Sequence, residues 1–457
     1  MHTKYFCQNI LKVNLLFVYV ILMIYTNIYA LQIPFTLTTH SNFNQRRLSV
    51  EDGLPPIMIL IKVYIGSPLK EYNLIFDTMT NYTMLLTNSS TLSKASNPYY
   101  IENSSTSKIQ NGTENTLHIF ENSYGVGCIV QDQITPKLLI NPTLFKFILM
   151  NEYLHNSLYY NADGIAGFNY EYNQNIYSIL DAFYTQRAIT KKIFAFKFNT
   201  TDNGILYIGE DGMNGQNDIL LRSCSSFQNV WGCSLSKITV NQSVYKDFNY
   251  ELNYNAYIRF STSTYPVEFP LIKIEDLLLK YKNALNTYNK QNNCLFKKIS
   301  TLKEILVCDN IEWYPNQYLP GVSFVLNDNQ LVLELQGKDL FTYSSKHGYV
   351  CNIQGNLMSL DKGPKMGLVI LKNYHTVFNK DQHLIQFTIN PITYISETSL
   401  TNNEGKYGGK IIIVMLIIII FAFMFLALSC RRKHRRNIKD KITFNHIHEI
   451  NTIILNN

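Results

Sequence analysis

Asp77 is the residue of this chain whose setting most needs a chemical explanation. It closes the apolar run Leu74-Ile75-Phe76 and is followed by Thr78-Met79-Thr80. A carboxylate held against an apolar strand is costly unless hydrogen bonds or a function retain it. It either caps a turn or serves as a base on water. Rival chemistries have less behind them. His118, His155 and His375 are scattered through the chain, without the close spacing of metal ligands. No Gly-rich phosphate loop and no nucleophile elbow occurs. No metal and no cofactor is expected.

The elements that must position Asp77 lie just before it. Val63 and Ile65, then Leu74 and Phe76, give the alternation of two strands, and Gly66-Ser67-Pro68 gives the tight turn between them. With that turn, Phe76-Asp77-Thr78-Met79-Thr80 resembles the first active-site segment of the pepsin-like aspartic proteases. There a Gly-Thr-Pro turn precedes Phe-Asp-Thr-Gly-Ser, so Met79 stands where the family has glycine. Further segments resemble the family in the same order. They are Ala162–Phe168, Ile193–Phe196 with Gly204–Gly209, Trp231–Val240, Cys308–Leu326 and Met366–Asn379. The resemblance implies an all-β, two-lobed pepsin-like fold. Asn-rich loops and a C-terminal anchor make the layout most similar to the membrane-anchored plasmepsins of apicomplexan parasites.

The family's chemistry needs two aspartates, one from each lobe, sharing one proton and holding one water. Asp77 supplies the first. The best match to the second segment is Tyr257-Ile258-Arg259-Phe260-Ser261-Thr262-Ser263, which puts Arg259 at the aspartate position. A guanidinium cannot act as a base. Opposite Asp77 it is expected to pair with the carboxylate and displace the water. In this register Phe260 replaces the threonine that meets Thr78 across the cleft, and Ser261 replaces a glycine. Thr78, Met79, Phe260 and Thr262 are expected to line the cleft. Phe120 or Tyr124 stands near the family's flap tyrosine, with Gly127 and Asp132 favouring Phe120. Asp361-Lys362-Gly363 is a weaker imitation of the second motif, with too little chain after it to complete a lobe.

Charged residues make up 16% of the chain and hydrophobic ones 46%, which suits a globular body and excludes a disordered one. The net charge of +7 has its densest run in Arg431–Arg436, immediately after the apolar stretch Ile411–Leu428. That pairing reads as a membrane span with a cytosolic basic tail, so nucleic acid is not an expected partner. At the other end, Lys4, Lys12 and the apolar run Val13–Tyr25 read as a signal peptide cleaved after Ala30 or, because Ile28 is large for a cleavage site, as an uncleaved anchor. Between the two lie Cys128, Cys224, Cys233, Cys294, Cys308 and Cys351, an even number that favours disulfides in a secretory compartment. Cys224/Cys233 and Cys294/Cys308 are the first pairs expected. Sequons at Asn81, Asn88, Asn103, Asn111, Asn199 and Asn241 fit a lumenal or extracellular body. Leu271 to Tyr288 reads as a helix, and Asn175 to Ala188 as a second, amphipathic one.

The expected organisation is a signal peptide at 1–30, a candidate pro-segment at 31–56, β lobes at 57–215 and 216–395, and a stalk at 396–410. A transmembrane helix follows at 411–430 and a cytosolic tail at 431–457. The expected function is that of a membrane-anchored, catalytically impaired aspartic-protease homologue that binds a peptide or a secretory protein client. The alternatives are an active endopeptidase with an atypical site, and an adhesive or receptor-like surface glycoprotein.

Overall fold

The computed structural model describes residues 31–37, 57–87, 97–110, 116–120, 123–135, 142–154, 162–170, 178–213, 220–226, 230–240, 250–300, 303–311, 319–327, 331–344, 346–356 and 363–389. All of them belong to one compact unit, Ala30–Thr393. The expected signal peptide, stalk, span and tail lie outside the described residues, as do Asp361 and His155. Among the described residues no helix is long and apolar enough to cross a membrane.

The described residues are mostly strand, arranged among themselves as a 14-stranded and an 11-stranded sheet. The first carries the Asp77 hairpin. Ile59–Ile65 pairs antiparallel with Lys70–Asp77 through Ile65↔Lys70, and Gly66 turns the corner at φ +95°. That left-handed backbone favours glycine. Burial in Ile59–Ile65 alternates along the strand, as its apolar spacing demands. The second sheet holds Gly232–Val240, Tyr250–Phe260, Val267–Pro270 and Lys365–Met366. One continuous core runs through both lobes, from Phe76 and Phe168 to Trp231, Phe260 and Phe378.

The expected lobe boundaries are crossed by the first sheet. Leu220–Ser225, Tyr374–Asn379 and Leu384–Ile389 come from the C-terminal half of the chain, yet they join the sheet of the N-terminal lobe through Ile193–Phe198. The candidate pro-segment also contributes to this sheet. Leu31–Leu37 pairs with Asn203–Ile208 on one side and with Ile59–Ile65 on the other, burying Leu31, Ile33, Phe35 and Leu37.

Leu271–Tyr288 is a helix over the expected span, and it buries Ile274, Leu277, Leu278, Tyr281 and Leu285. The second expected helix is shorter, Ile179–Thr185, with Ser178 accepting from the Asp181 N–H at its start. Cys224–Cys233 and Cys294–Cys308 are disulfides, whereas Cys128 and Cys351 are buried thiols. Burial pushes the Cys351 thiol up to about 12, so it stays protonated at physiological pH.

Candidate functional site

Asp77 ends its strand beside a second strand that runs parallel to it. The register pairs Phe76 with Ala166 and Asp77 with Gly167. The Asp77 side chain is 5% exposed, and its carboxylate is held by the loop that follows. Oδ1 accepts from the Met79 N–H at 2.8 Å, and Oδ2 accepts from the Thr80 hydroxyl. Asn169 Nδ2 donates to the Met79 carbonyl at 3.2 Å, fastening the loop from the other side. Met79 therefore makes the backbone contact of the family's glycine while adding a side chain.

Thr78 and Thr262 meet across the two lobes. Thr78 Oγ1 donates to the Phe260 carbonyl at 2.8 Å, and Thr262 Oγ1 donates to the Phe76 carbonyl at 2.8 Å. Each hydroxyl also accepts the other residue's N–H, at 3.1 and 3.2 Å. The exchange is two-fold symmetric. Phe76 precedes Asp77 and Phe260 precedes Ser261, so the residue symmetric with Asp77 is Ser261.

The surrounding glycines give the same equivalence independently. A Cβ on Gly167 would collide with the carbonyls of Thr80 and Tyr82, which lie three and five residues after Asp77. A Cβ on Gly367 would collide with those of Thr264 and Pro266, three and five residues after Ser261. The parallel strand pairs agree as well, since Phe260 is in register with Met366 as Phe76 is with Ala166.

The sequence register therefore needs correcting by two residues. Arg259 does not occupy the position symmetric with Asp77; it lies in the strand Tyr250–Phe260, between Gly232 and Lys365. Phe260 does not replace the cross-lobe threonine, because Thr262 is that threonine. Phe260 is wholly buried in the core against Phe387. Ser263, not Ser261, stands at the second glycine. Locally, Tyr257-Ile258 before Arg259 and Phe260 before Ser261 both spell the end of an apolar strand. The fold instead fixes the register through two hydroxyls that must reach opposing carbonyls.

Ser261 is fully buried, with Oγ 3.3 Å from Ser263 Oγ and its N–H donating to the Met366 carbonyl at 2.9 Å. The site thus combines one carboxylate and one neutral hydroxyl. The sequence reading put Ser261 at a glycine position and missed Thr80 and Asn169. The signal for Ser261 and Thr80 was present, since Phe76-Asp77-Thr78-Met79-Thr80 recurs as Phe260-Ser261-Thr262-Ser263-Thr264.

Phe120 and Tyr124 both fall on a hairpin, Thr116–Phe120 against Ser123–Thr135, with Phe120 opposite Ser123 and Tyr124 opposite Ile119. The base of that hairpin is anchored by Asp132. Its carboxylate accepts from Tyr99 Oη at 2.6 Å and from the Thr106 hydroxyl. Burial, and then this hydrogen bond, push the Tyr99 hydroxyl far up, so it remains a donor. Asp163 of the Ala162–Phe168 segment accepts from the Asn73 N–H at 2.8 Å and from the Asn97 N–H. Burial still raises its carboxyl above the usual range. It braces the Asp77 strand rather than serving the cleft.

A sequence model of the family described as eukaryotic aspartyl protease matches residues 59–389, which include every element of the site above. No curated protein matches the chain significantly.

Proposed function

The chain belongs to the eukaryotic aspartyl proteases, and from that premise we propose that its cleft binds peptides, or a secretory protein client, without cutting them. The observation that carries this reading is Ser261 at the position symmetric with Asp77. The family's hydrolysis uses two adjacent carboxylates that cannot both ionise easily, so one stays protonated as the acid while the other acts as base. A serine hydroxyl can hold a water or a peptide carbonyl by hydrogen bonding, but it does not ionise in the range where carboxylates exchange protons. With Ser261 as its counterpart, Asp77 brings one carboxylate to a site where the family's hydrolysis uses two.

Peptide binding draws support from the two lobes joined through Thr78 and Thr262 and from the hairpin of Thr116–Phe120 with Ser123–Thr135. We place the body in the lumen or outside the cell, on a single span at 411–430 with the basic tail in the cytosol, as in the plasmepsin layout. The two disulfides support that compartment, since thiols of this kind pair in oxidising surroundings.

A second reading, an endopeptidase with an atypical site, draws support from one feature. Asp77 keeps two donors that stabilise its ionised form, as a general base requires. A panel of peptide substrates from acid to neutral pH, with the full chain purified in detergent, separates the two. The expected result is no turnover. Turnover that disappears in Asp77→Ala would establish the second reading.

A further inference from the structure

The loops that follow Asp77 and Ser261 are built alike but are not satisfied alike. After Asp77, the Met79 N–H reaches Oδ1 at 2.8 Å and the Thr80 hydroxyl reaches Oδ2, so both donors end on the carboxylate. Ser263 and Thr264 hold the same places after Ser261. A serine carries its oxygen where an aspartate carries Cγ, one bond short of a carboxylate oxygen. Among the described residues, Thr264 Oγ1 is buried and has no hydrogen-bond partner. The Ser263 N–H has none either, and Ser263 makes its one side-chain contact through Oγ, 3.3 Å from Ser261 Oγ. Donors left without an acceptor in a folded chain are costly and call for an explanation.

The two positions are neighbours across the lobes. The Thr78 N–H meets Thr262 Oγ1 at 3.1 Å, and the Thr262 N–H meets Thr78 Oγ1 at 3.2 Å. Asp77 and Ser261 immediately precede these two amides, so they leave the backbone side by side. The arrangement sets a carboxylate, which when ionised only accepts, beside two donors that want an acceptor. Asp77 and Ser261 are themselves buried, while Met79, Ser263 and Thr264 are half-buried. The pair is therefore reached through its two loops, and a narrow group fits there better than a broad one.

The chemistry of this pair selects its ligand. A carboxylate would satisfy Ser263 and Thr264 but meets the like charge of Asp77. An ammonium or guanidinium suits Asp77 but turns donors toward the Ser263 N–H. A backbone amide has the oxygen, yet its N–H points the opposite way across the planar trans bond. A primary carboxamide carries an acceptor oxygen and two N–H donors at one planar end. We propose that the Asp77–Ser261 pair receives a primary carboxamide, the side-chain end of an Asn or Gln in the bound peptide. Its oxygen accepts from the Ser263 N–H and the Thr264 hydroxyl, and its NH2 donates to Asp77. An ionised carboxylate offers about four acceptor positions, so Asp77 takes this donor in addition to Met79 and Thr80. The inference rests on the peptide-binding reading above and specifies the side chain that the peptide carries.

The test uses the full chain in detergent at neutral pH and fluorescent random peptide pools, read by anisotropy. The pools share one background and carry Asn or Gln, Asp or Glu, or Leu as the internal guest, with an N-methylamide at the C-terminus. A fourth pool carries Leu and ends in a primary amide. The Asn/Gln pool should bind about tenfold tighter than the Leu pool, the scale of a hydrogen bond whose loss strands a buried group. The Asp/Glu pool should bind no tighter than the Leu pool. If the gain appears in the fourth pool instead, the carboxamide comes from an amidated peptide end. Thr264→Val keeps the shape, removes one donor and should bring the favoured pool to within about threefold of the Leu pool. Ser261→Asp puts carboxylate oxygens on both donors, as Asp77 does in its own loop, and should erase the preference. It also serves if Thr264→Val fails to melt like the parent chain. Equal binding of all pools, tightest binding of the Asp/Glu pool, or a preference that survives Ser261→Asp would overturn the proposal and leave peptide binding standing. Failure of every pool to bind would overturn both.

Discussion

Thr78 and Thr262 sit on opposite lobes and hold each other's strand ends by an exchange in which each is both donor and acceptor. Both are fully buried, so neither carbonyl nor amide can turn to water if its partner is lost. Thr262→Val keeps the shape and removes the hydroxyl. It leaves the Phe76 carbonyl and the Thr78 N–H without these partners, and should cost about 2–4 kcal/mol on the scale of buried unsatisfied groups. Thr78→Val should cost a similar amount, through the Phe260 carbonyl and the Thr262 N–H. A loss under about 1 kcal/mol for either change in denaturant unfolding would show that these groups do not depend on the exchange.

The position of Ser261 predicts which substitution can rebuild a catalytic pair. Ser261→Asp places a second carboxylate opposite Asp77, and the two should titrate as a coupled pair, one carboxyl raised by the other's charge. Acid-range peptide cleavage is the expected gain, increased further by adding Met79→Gly and Ser263→Gly. Arg259→Asp should gain nothing, since that residue lies two places away from the symmetric position. Activity in Arg259→Asp and not in Ser261→Asp would reverse the register derived from the threonines.

Asp181 provides the pH dependence with the clearest sign. It is buried, with Lys380 Nζ 2.7 Å and Lys192 Nζ 3.1 Å from its two oxygens. Burial pushes its carboxyl up, but Lys380, Ser178 and Lys192 together outweigh burial and hold it below the usual 3.8. A depressed folded value means that its stabilisation is present above 3.8 and is lost as pH falls through the lower folded value. Lys380→Met should therefore cost about 3 kcal/mol near neutrality, the lower end for a broken buried pair, because Lys192 remains. The cost should fade toward strongly acid pH. Asp163 has the opposite sign: burial raises it, so its contribution favours the acid side and declines as pH rises through its folded value. A Lys380→Met penalty that does not change with pH would exclude Asp181 as its source.

Leu31–Leu37 should be essential to the folded body. Each of its four buried side chains contributes about 1.5–3 kcal/mol of burial, and the strand fills the gap between Asn203–Ile208 and Ile59–Ile65. Its deletion should abolish cooperative melting and expose two sheet edges to aggregation. A deletion variant that melts within a few degrees of the full chain would show that the strand is dispensable.

The linear sequence already determined that this chain builds a two-lobed β body around Asp77. Alternating apolar residues dictate strands whatever their neighbours, and the Gly66-Ser67-Pro68 turn fixes how the first hairpin closes. The long helix Leu271–Tyr288 and both disulfides were legible for similarly local reasons, namely periodicity in one case and short spacing in the others. The identity of Asp77's counterpart was not decided locally. Ile258-Arg259-Phe260 and Phe260-Ser261-Thr262 are both plausible strand ends, and apolar flanks favour the first. Only the folded chain brings the Thr78 and Thr262 hydroxyls within reach of opposing carbonyls, and that contact admits a single register.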